Sequence, residues 1–323
     1  MTGPCFDCPR ACGVDRSRAF GLCGAPAAPR VARAALHFGE EPCLSGTRGA
    51  GAVFFSGCSL RCIYCQNAVI SRECRGKTID EARLLAIFEE LAAAGAHNLD
   101  LVTPTHYTSL LTRLLHDNPQ PLPVVWNSSG YELVPKLHGL EGAVDVYLPD
   151  LKYFDARAAG RYSGAPDYFS VASAALLEMA RQTGDCVFDG EGLLRRGLLV
   201  RHLVLPGLSK DSVALLEWCA ANLPAGTRYS IMAQYTPTPA VAGHPALGRR
   251  LTAFEYDRVA GAAVRLGLKG YLQDREAAGT GHIPAFDGTG VLPAGKGEPQ
   301  GKPLAKGEIS SKKASEHFPG HGG

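Results

Sequence analysis

The sequence predicts an α/β chain whose parallel strands close, fully or partly, into a (β/α) barrel. Three observations predict it. Strand-like and helix-like segments alternate from about residue 51 to about residue 274. Polar residues fall at the ends of several of those strands, as Asn127, Asp150 and Lys152 show. The two flanks differ from this core: a cysteine-rich stretch precedes it and a Gly-, Pro- and Lys-rich stretch follows.

Residues 1–45 carry little hydrophobic periodicity and read as a loop-dominated, metal-binding extension that needs a staple. The core is assigned to 46–285. "AVFFSGC" reads as a buried strand, and "TIDEARLLAIFEELAAAG" as a helix. In that helix Thr78 and Glu81 suggest a capping box, Ile79, Leu84, Ile87, Phe88 and Leu91 form one apolar face, and Gly95 suits the C-terminal end. Strands follow at 98–104, 122–130, 142–152, 197–207, 228–237 and 268–274. Helices follow through "YTSLLTRLLHD", in a short segment after residue 130, and over 171–182, 212–223 and 252–266. Residues 286–323 are poor in apolar side chains and are expected to be disordered, because they bury too little surface to offset their ordering entropy. His317 and His321 in that stretch are too isolated for a metal site.

Composition narrows the function classes. The chain is 46% hydrophobic and 20% charged, as expected for a globular protein with a sizeable core. A net charge of +2 gives no basic surface for nucleic acid. No apolar run is long enough for a membrane span, and "MTGPCFDCPR" has no apolar signal region, so a cytoplasmic location is expected. That compartment keeps thiols reduced, so the eleven cysteines point to metal rather than disulfides. Nine of them lie in the first 74 residues, while Cys186 and Cys219 stand alone and read as buried small hydrophobes.

The stretch "GCSLRCIYCQN" holds Cys58, Cys62 and Cys65 with spacings of three and then two residues. Three thiolates on one loop suit three irons of a 4Fe-4S cluster, with the fourth iron left open. An open coordination position separates a reactive metal centre from a structural one. The alternatives are a zinc knuckle completed by Cys74 or Cys43, or three buried thiols.

This array, directly after a strand, resembles the signature of the radical S-adenosylmethionine (SAM) superfamily. "FFSGCSLRCIYCQN", "YLPDLKY" and "RHLVLPG" resemble its pyruvate formate-lyase activating enzyme group. "CFDCPRACGVDR", "ARAALHFGEEPCLSGTRG", "GAHNLDLVTPTHY" and "QYTP" are similar to an uncharacterised branch like those enzymes, and the resemblance covers roughly residues 5–275. It implies a barrel of the radical SAM type, a 4Fe-4S cluster on Cys58, Cys62 and Cys65, and SAM on the open iron. It implies Tyr64 beside cluster and adenine, Asn127 and Ser128 near the ribose, and Asp150 and Lys152 near the SAM carboxylate. Asn127 or Ser128 alternatively caps a helix, and Lys152 alternatively makes a surface ion pair. Arg201 and His202 are expected to face the barrel interior. The family's Gly-Gly-Glu turn is replaced by "VTPTHY", where Thr103, Thr105 and His106 offer other polar atoms; His106 alternatively only starts a helix.

Cys5, Cys8, Cys12 and Cys23 form a fuller set of four thiols, suited to zinc or a second iron–sulfur cluster. Three functions are consistent with these features. The first is a radical SAM activase of a glycyl-radical protein, served by an external reductant such as flavodoxin or ferredoxin. The second is a radical SAM enzyme acting on a small molecule or side chain. The third is a non-catalytic iron–sulfur electron-transfer protein. No catalytic side chain beyond the ligands is evident.

Overall fold

The computed structural model describes residues 3–273 and 283–293. Its strands are β1 (Arg30–His37), β2 (Ala50–Phe55), β3 (Lys77–Thr78), β4 (Leu99–Val102), β5 (Val124–Ser128), β6 (Val146–Pro149), β7 (Val187–Phe188), β8 (Leu194–Leu203), β9 (Arg228–Met232) and β10 (Lys269–Leu272). The helices are α1 (Pro42–Ser45), α2 (Ala68–Ser71), α3 (Glu81–Ala93), α4 (Thr108–Asp117), α5 (Val134–His138), α6 (Ala156–Ser163), α7 (Tyr168–Thr183), α8 (Ser209–Asn222) and α9 (Ala253–Arg265).

One sheet runs β10-β9-β8-β6-β5-β4-β2-β1-β3, with β7 added on β8. From β2 to β10 every neighbouring pair on this path is parallel. Among these parallel strands the spatial order follows the chain order without reversal, as in a barrel wall rather than a doubly wound sheet, while β1 and β3 add an antiparallel edge beside β2. Among the described residues β10 and β3 do not pair with each other, so the wall is a partial barrel. The residues of β4, β5 and β6 are buried on both faces, as parallel strands covered on both sides must be.

Alternation along each strand sorts side chains to two faces. On β5, Trp126 points out to the helical layer with Leu84, Leu101, Leu176 and Leu198. Val125 points inward and packs with Cys43, Leu44, Val146, Leu148 and Leu199. The short α1 thus closes one end of the interior with Cys43 and Leu44. Burying a side chain such as Leu198 stabilises the wall by about 2 kcal/mol, and Leu198→Ala would cost about 2–5 kcal/mol.

Three expectations need correction. The extension is not wholly loop: its residues 30–37 form β1, paired antiparallel with β2. The Thr78–Glu81 capping box does not form. Thr78 lies in β3, and α3 is capped two residues later by Asp80, whose side chain accepts from Arg83 N. Residues 286–293 are not disordered. Gly288 N donates to Ala32 O (3.0 Å) and Ala34 N to Thr289 O (2.9 Å), so this strap covers the outer edge of β1. Val291 is fully buried, and Arg83 donates to the carbonyls of Gly290 and Val291. Gly290 sits at φ 71°, and a Cβ there would lie 1.9 Å from Ala34 O, so only glycine permits the approach. The rest of the expected tail, 294–323, lies outside the described residues. Among the described residues no helix is long and apolar enough to cross a membrane.

Candidate functional site

The loop after β2 carries the three cysteines. Gly57 opens it at φ 93°, where a Cβ would meet Cys23 O at 2.7 Å. Arg61 takes a left-handed conformation (φ 54°), and Cys65 N donates to Cys62 O to close the turn. Two hydroxyls address the sulfurs. Ser163 Oγ lies 2.9 Å from Cys62 Sγ, and Ser71 Oγ lies 3.2 Å from Cys65 Sγ. Donors of this kind tune a thiolate's electron density. Burial first, then the neighbouring Cys62, pushes the Cys58 thiol up to about 12. A bare thiolate is thus disfavoured there, whereas metal coordination deprotonates a thiol outright.

Among the described residues no three Cys, His, Asp or Glu side chains converge as ligands of one metal ion do. A cubane does not ask for convergence, because each thiolate binds a different iron. The zinc-knuckle alternative does need a fourth side chain. Cys43 packs with Leu44 in the α1 plug, and Cys74 Sγ points to the carbonyls of Cys23 and Arg72. Neither lines the cavity that Cys62 and Cys65 face. The donor set fits a cluster with an open position.

That cavity measures about 200 Å³ and is lined by Cys62, Tyr64 and Cys65 from the loop. Asn127, Asp150, Lys152 and Arg201 line it from the strand ends of β5, β6 and β8, joined by Glu40 from the β1–α1 connection. Arg201 is the hub. It donates to Asp150 (2.9 Å), Glu40 (2.8 Å) and Asn127 Oδ1 (2.6 Å). Lys152 donates to Asp150 at 2.7 Å. Burial would raise the Asp150 carboxyl, but Lys152 and Arg201 outweigh it and hold it below its ordinary value. Burial would lower Lys152, but Asp150, Cys62 and Cys65 keep it raised.

Glu40, Glu41 and Asp100 behave differently. Burial raises all three carboxyls beyond what Arg201 offsets. Four carboxylates therefore face two cations in one buried region, and among the described residues Glu41 Oε2 and Asp100 Oδ1 have no hydrogen-bond partner. Such a layer holds protons or attracts a cationic ligand group. Val102, Leu203 and Met232 add an apolar side to the cavity.

The structure brings together Cys62, Tyr64, Cys65, Asn127, Asp150, Lys152 and Arg201 from the expected set. Cys58 sits beside them on the loop, half-buried. Tyr64 accepts a hydrogen bond from Tyr153 (2.7 Å) and packs edge-on against Tyr153 and Tyr235. Four expected residues lie elsewhere. Arg201 and His202 do not both face inward, since neighbours on a strand take opposite faces. His202 points outward: its Nδ1 is 2.6 Å from Leu151 O and its Nε2 is 2.8 Å from Ser212 Oγ. Burial lowers it to about 4, so it is neutral.

Thr103, β-branched yet at φ 60°, turns the chain after β4. Thr105 then donates to Glu132 at 2.7 Å, and His106 Nε2 donates to Ser56 O at 2.9 Å. Neither lines the cavity. Ser128 is buried as well, and its Oγ accepts from Gly130 N, a turn-forming role. Glu40, Glu41 and Asp100 are the members of this buried charged group that sequence reasoning missed. The signal for the first two was present in "HFGEEPC", two adjacent acids at the end of what proves to be a strand.

The four N-terminal cysteines form a separate group. Cys8 and Cys23 are buried, Cys5 half-buried and Cys12 exposed. Cys23 O accepts from Cys58 N at 3.1 Å, which sets this group against the cluster loop.

Residues 45–153 match the family described as the 4Fe-4S single cluster domain. This segment runs from the end of α1 through the cysteine loop to the end of the Asp-Leu-Lys element. The chain is also similar to an uncharacterized protein of Methanocaldococcus jannaschii, at 29% identity over 273 residues, 82% of this chain and 75% of that protein. Among solved structures it is similar to Streptococcus suis SuiB bound to S-adenosylmethionine, with a TM-score of 0.46 and 12% identity. That likeness covers 67% of this chain and about half (48%) of the SuiB chain.

Proposed function

We propose that the protein is a radical SAM enzyme that abstracts a hydrogen atom from its substrate. The observation that carries this reading is a loop of three cysteines, two of them facing a charged cavity that no other described cysteine lines. The match to a 4Fe-4S single cluster domain supports a cluster on that loop. With cluster and SAM bound, the pair supplies one-electron reductive cleavage of the sulfonium and a 5′-deoxyadenosyl radical.

The residues present suit such a ligand. Cys58, Cys62 and Cys65 would each hold one iron. Lys152, beside Cys62 and Cys65, offsets thiolate charge and offers a donor to a carboxylate. Asn127 offers amide hydrogens and a carbonyl oxygen, the pair of functions that would suit ribose hydroxyls. Glu40 is a buried acceptor suited to an ammonium group, the task that no carboxylate in "VTPTHY" performs. Val102, Leu203 and Met232 exclude water from one side, which protects a radical.

For the substrate, the activase reading follows the "YLPDLKY" and "RHLVLPG" elements, and its product is a glycyl radical on a partner protein. The surplus of buried carboxylates favours a second reading, a small molecule or side chain bearing a cationic group. A glycyl-radical signal in electron paramagnetic resonance (EPR) of a mixed partner protein separates the two. The reaction class is tested first. Reduced anaerobic protein should convert SAM to 5′-deoxyadenosine and methionine in equal amounts, and Cys62→Ala should not. Wild-type protein that carries its cluster yet forms no 5′-deoxyadenosine under strong reductant would overturn the proposal.

A further inference from the structure

We propose that Cys5, Cys8, Cys12 and Cys23 hold a second iron–sulfur cluster, which passes electrons to the one on Cys58, Cys62 and Cys65. The sulfurs are gathered although 17 residues lie between the first cysteine and the last. The point where a Cβ on Gly21 would sit is crowded by Cys12 Sγ at 2.9 Å and Cys23 Sγ at 3.9 Å. Cys8 and Cys23 are both buried, and the carbonyls of Cys5 and Cys8 accept from Gly13 N and Ala11 N, the two residues flanking Cys12.

The backbone is built to do this. Cys5 N donates to Val14 O (3.0 Å), Gly13 N to Cys5 O (3.1 Å) and Ala11 N to Cys8 O (3.0 Å). Ala11 takes a left-handed conformation (φ 41°), a strain that a side chain other than glycine rarely accepts.

A second observation points to a bound group. The segment has almost no apolar core of its own. Phe6, Phe20 and Leu22 are exposed, and its buried apolar residues are Cys8, Cys23 and Ala25. Binding energy from a metal centre supplies the stability that such a segment lacks. The kind of centre follows from geometry. Zinc draws its ligands onto one point, with Zn–S distances of about 2.3 Å. Among the described residues no three sulfurs converge in that way. A cluster spreads its thiolates over several irons.

The placement gives the role. Three hydrogen bonds dock this segment on the main loop: Cys58 N to Cys23 O (3.1 Å), Arg10 Nε to Ser59 O (2.8 Å) and Arg61 Nη1 to Leu22 O (3.0 Å). Cys23 and Cys58 are thus backbone neighbours, while Cys12 reaches solvent. One electron enters from an external low-potential one-electron donor, a flavodoxin or ferredoxin. One electron leaves to the main cluster, and no bond forms or breaks at the relay. This role, unlike the metal site itself, rests on the radical SAM reading.

Iron and zinc are counted in the full chain, purified anaerobically, for wild type, Cys8→Ala, Cys12→Ser and Cys62→Ala. Wild type should carry iron clearly beyond the about four atoms of one 4Fe-4S cluster. Cys8→Ala and Cys12→Ser should lose that surplus and keep the rest, and Cys62→Ala should do the reverse. Reduction by flavodoxin should lose its fast phase in Cys12→Ser, while dithionite still reduces the remaining cluster. Wild type with no surplus iron, or with zinc that disappears in the N-terminal variants, overturns the site. Unchanged fast reduction in Cys12→Ser overturns the relay. Failure of the main-cluster reading shows separately, as iron unaffected by Cys62→Ala. The wild-type count decides the site even if a variant does not fold.

Discussion

Arg201 lies where strand ends, the β1–α1 connection and the cavity meet, and its guanidinium holds Asp150, Glu40 and Asn127 in one plane of contacts. A single arginine can do this because its fork of donors is rigid and always charged. Removing it would leave Glu40 with no cation and Asp150 with Lys152 alone, and breaking a buried pair in this way costs about 3–5 kcal/mol. Glu132 shows the opposite case, a buried acid with no cation. It accepts from Thr105 (2.7 Å) and Trp126 Nε1 (3.3 Å), and burial raises it to about 7. Its raised value favours the folded state below the ordinary carboxylate range, and that contribution is lost as pH rises through about 7. An amide oxygen accepts the same two donors without ionising. Glu132→Gln should therefore change little at pH 4 and stabilise by about 2 kcal/mol at pH 8. Urea unfolding at the two pH values measures this, and an effect independent of pH would contradict it.

At the scale of the element, caps and strand alternation decide where side chains arrive. Asp80 caps α3, and Thr78 does not. Asp80→Ala should lower stability by about 1 kcal/mol, whereas exposed Thr78→Ala should stay within about 0.5 kcal/mol. Thermal unfolding of the pair checks this, and the reverse ranking would restore the capping box. The same logic explains what the chain revealed before its fold was known. Cys58, Cys62, Cys65, Asn127, Asp150, Lys152 and Arg201 were legible because glycine turns and strand ends mark them. His202 was misplaced because two polar neighbours on a strand were assigned to one face, which period-two geometry forbids. Thr105 and His106 were misplaced because nothing local announces the left-handed turn at Thr103. Glu40 and Glu41 went unread because β1 lies in a stretch whose cysteines and prolines mask its strand pattern. α6 was missed for a similar reason: "ARAAGRYS" has Gly160 in its middle, Gly164 after its end and few large apolar side chains, and only its Asp155 cap marks a start.

At the scale of the whole molecule, a parallel wall in chain order gathers its strand ends around one cavity, and two segments from outside the alternation complete it. The β1–α1 connection brings carboxylates into the interior, and the strap at 283–293 covers the β1 edge. The order of the wall followed from strand–helix alternation alone, because short right-handed crossovers leave few other arrangements. The strap did not, since its Gly-rich composition resembles that of disordered chain and its packing depends on the approach of Gly290 to Ala34. The resulting molecule has one thiol set open to a cavity and a second docked behind it. The central claim is that the open set holds a cluster on which SAM sits. EPR of the singly reduced, anaerobically reconstituted protein tests it directly. Adding SAM labelled with 15N at its amino group and 17O at its carboxylate should shift the spectrum and introduce hyperfine coupling from both labels. A spectrum that is unchanged by saturating SAM, in protein that carries its full iron, would contradict the account.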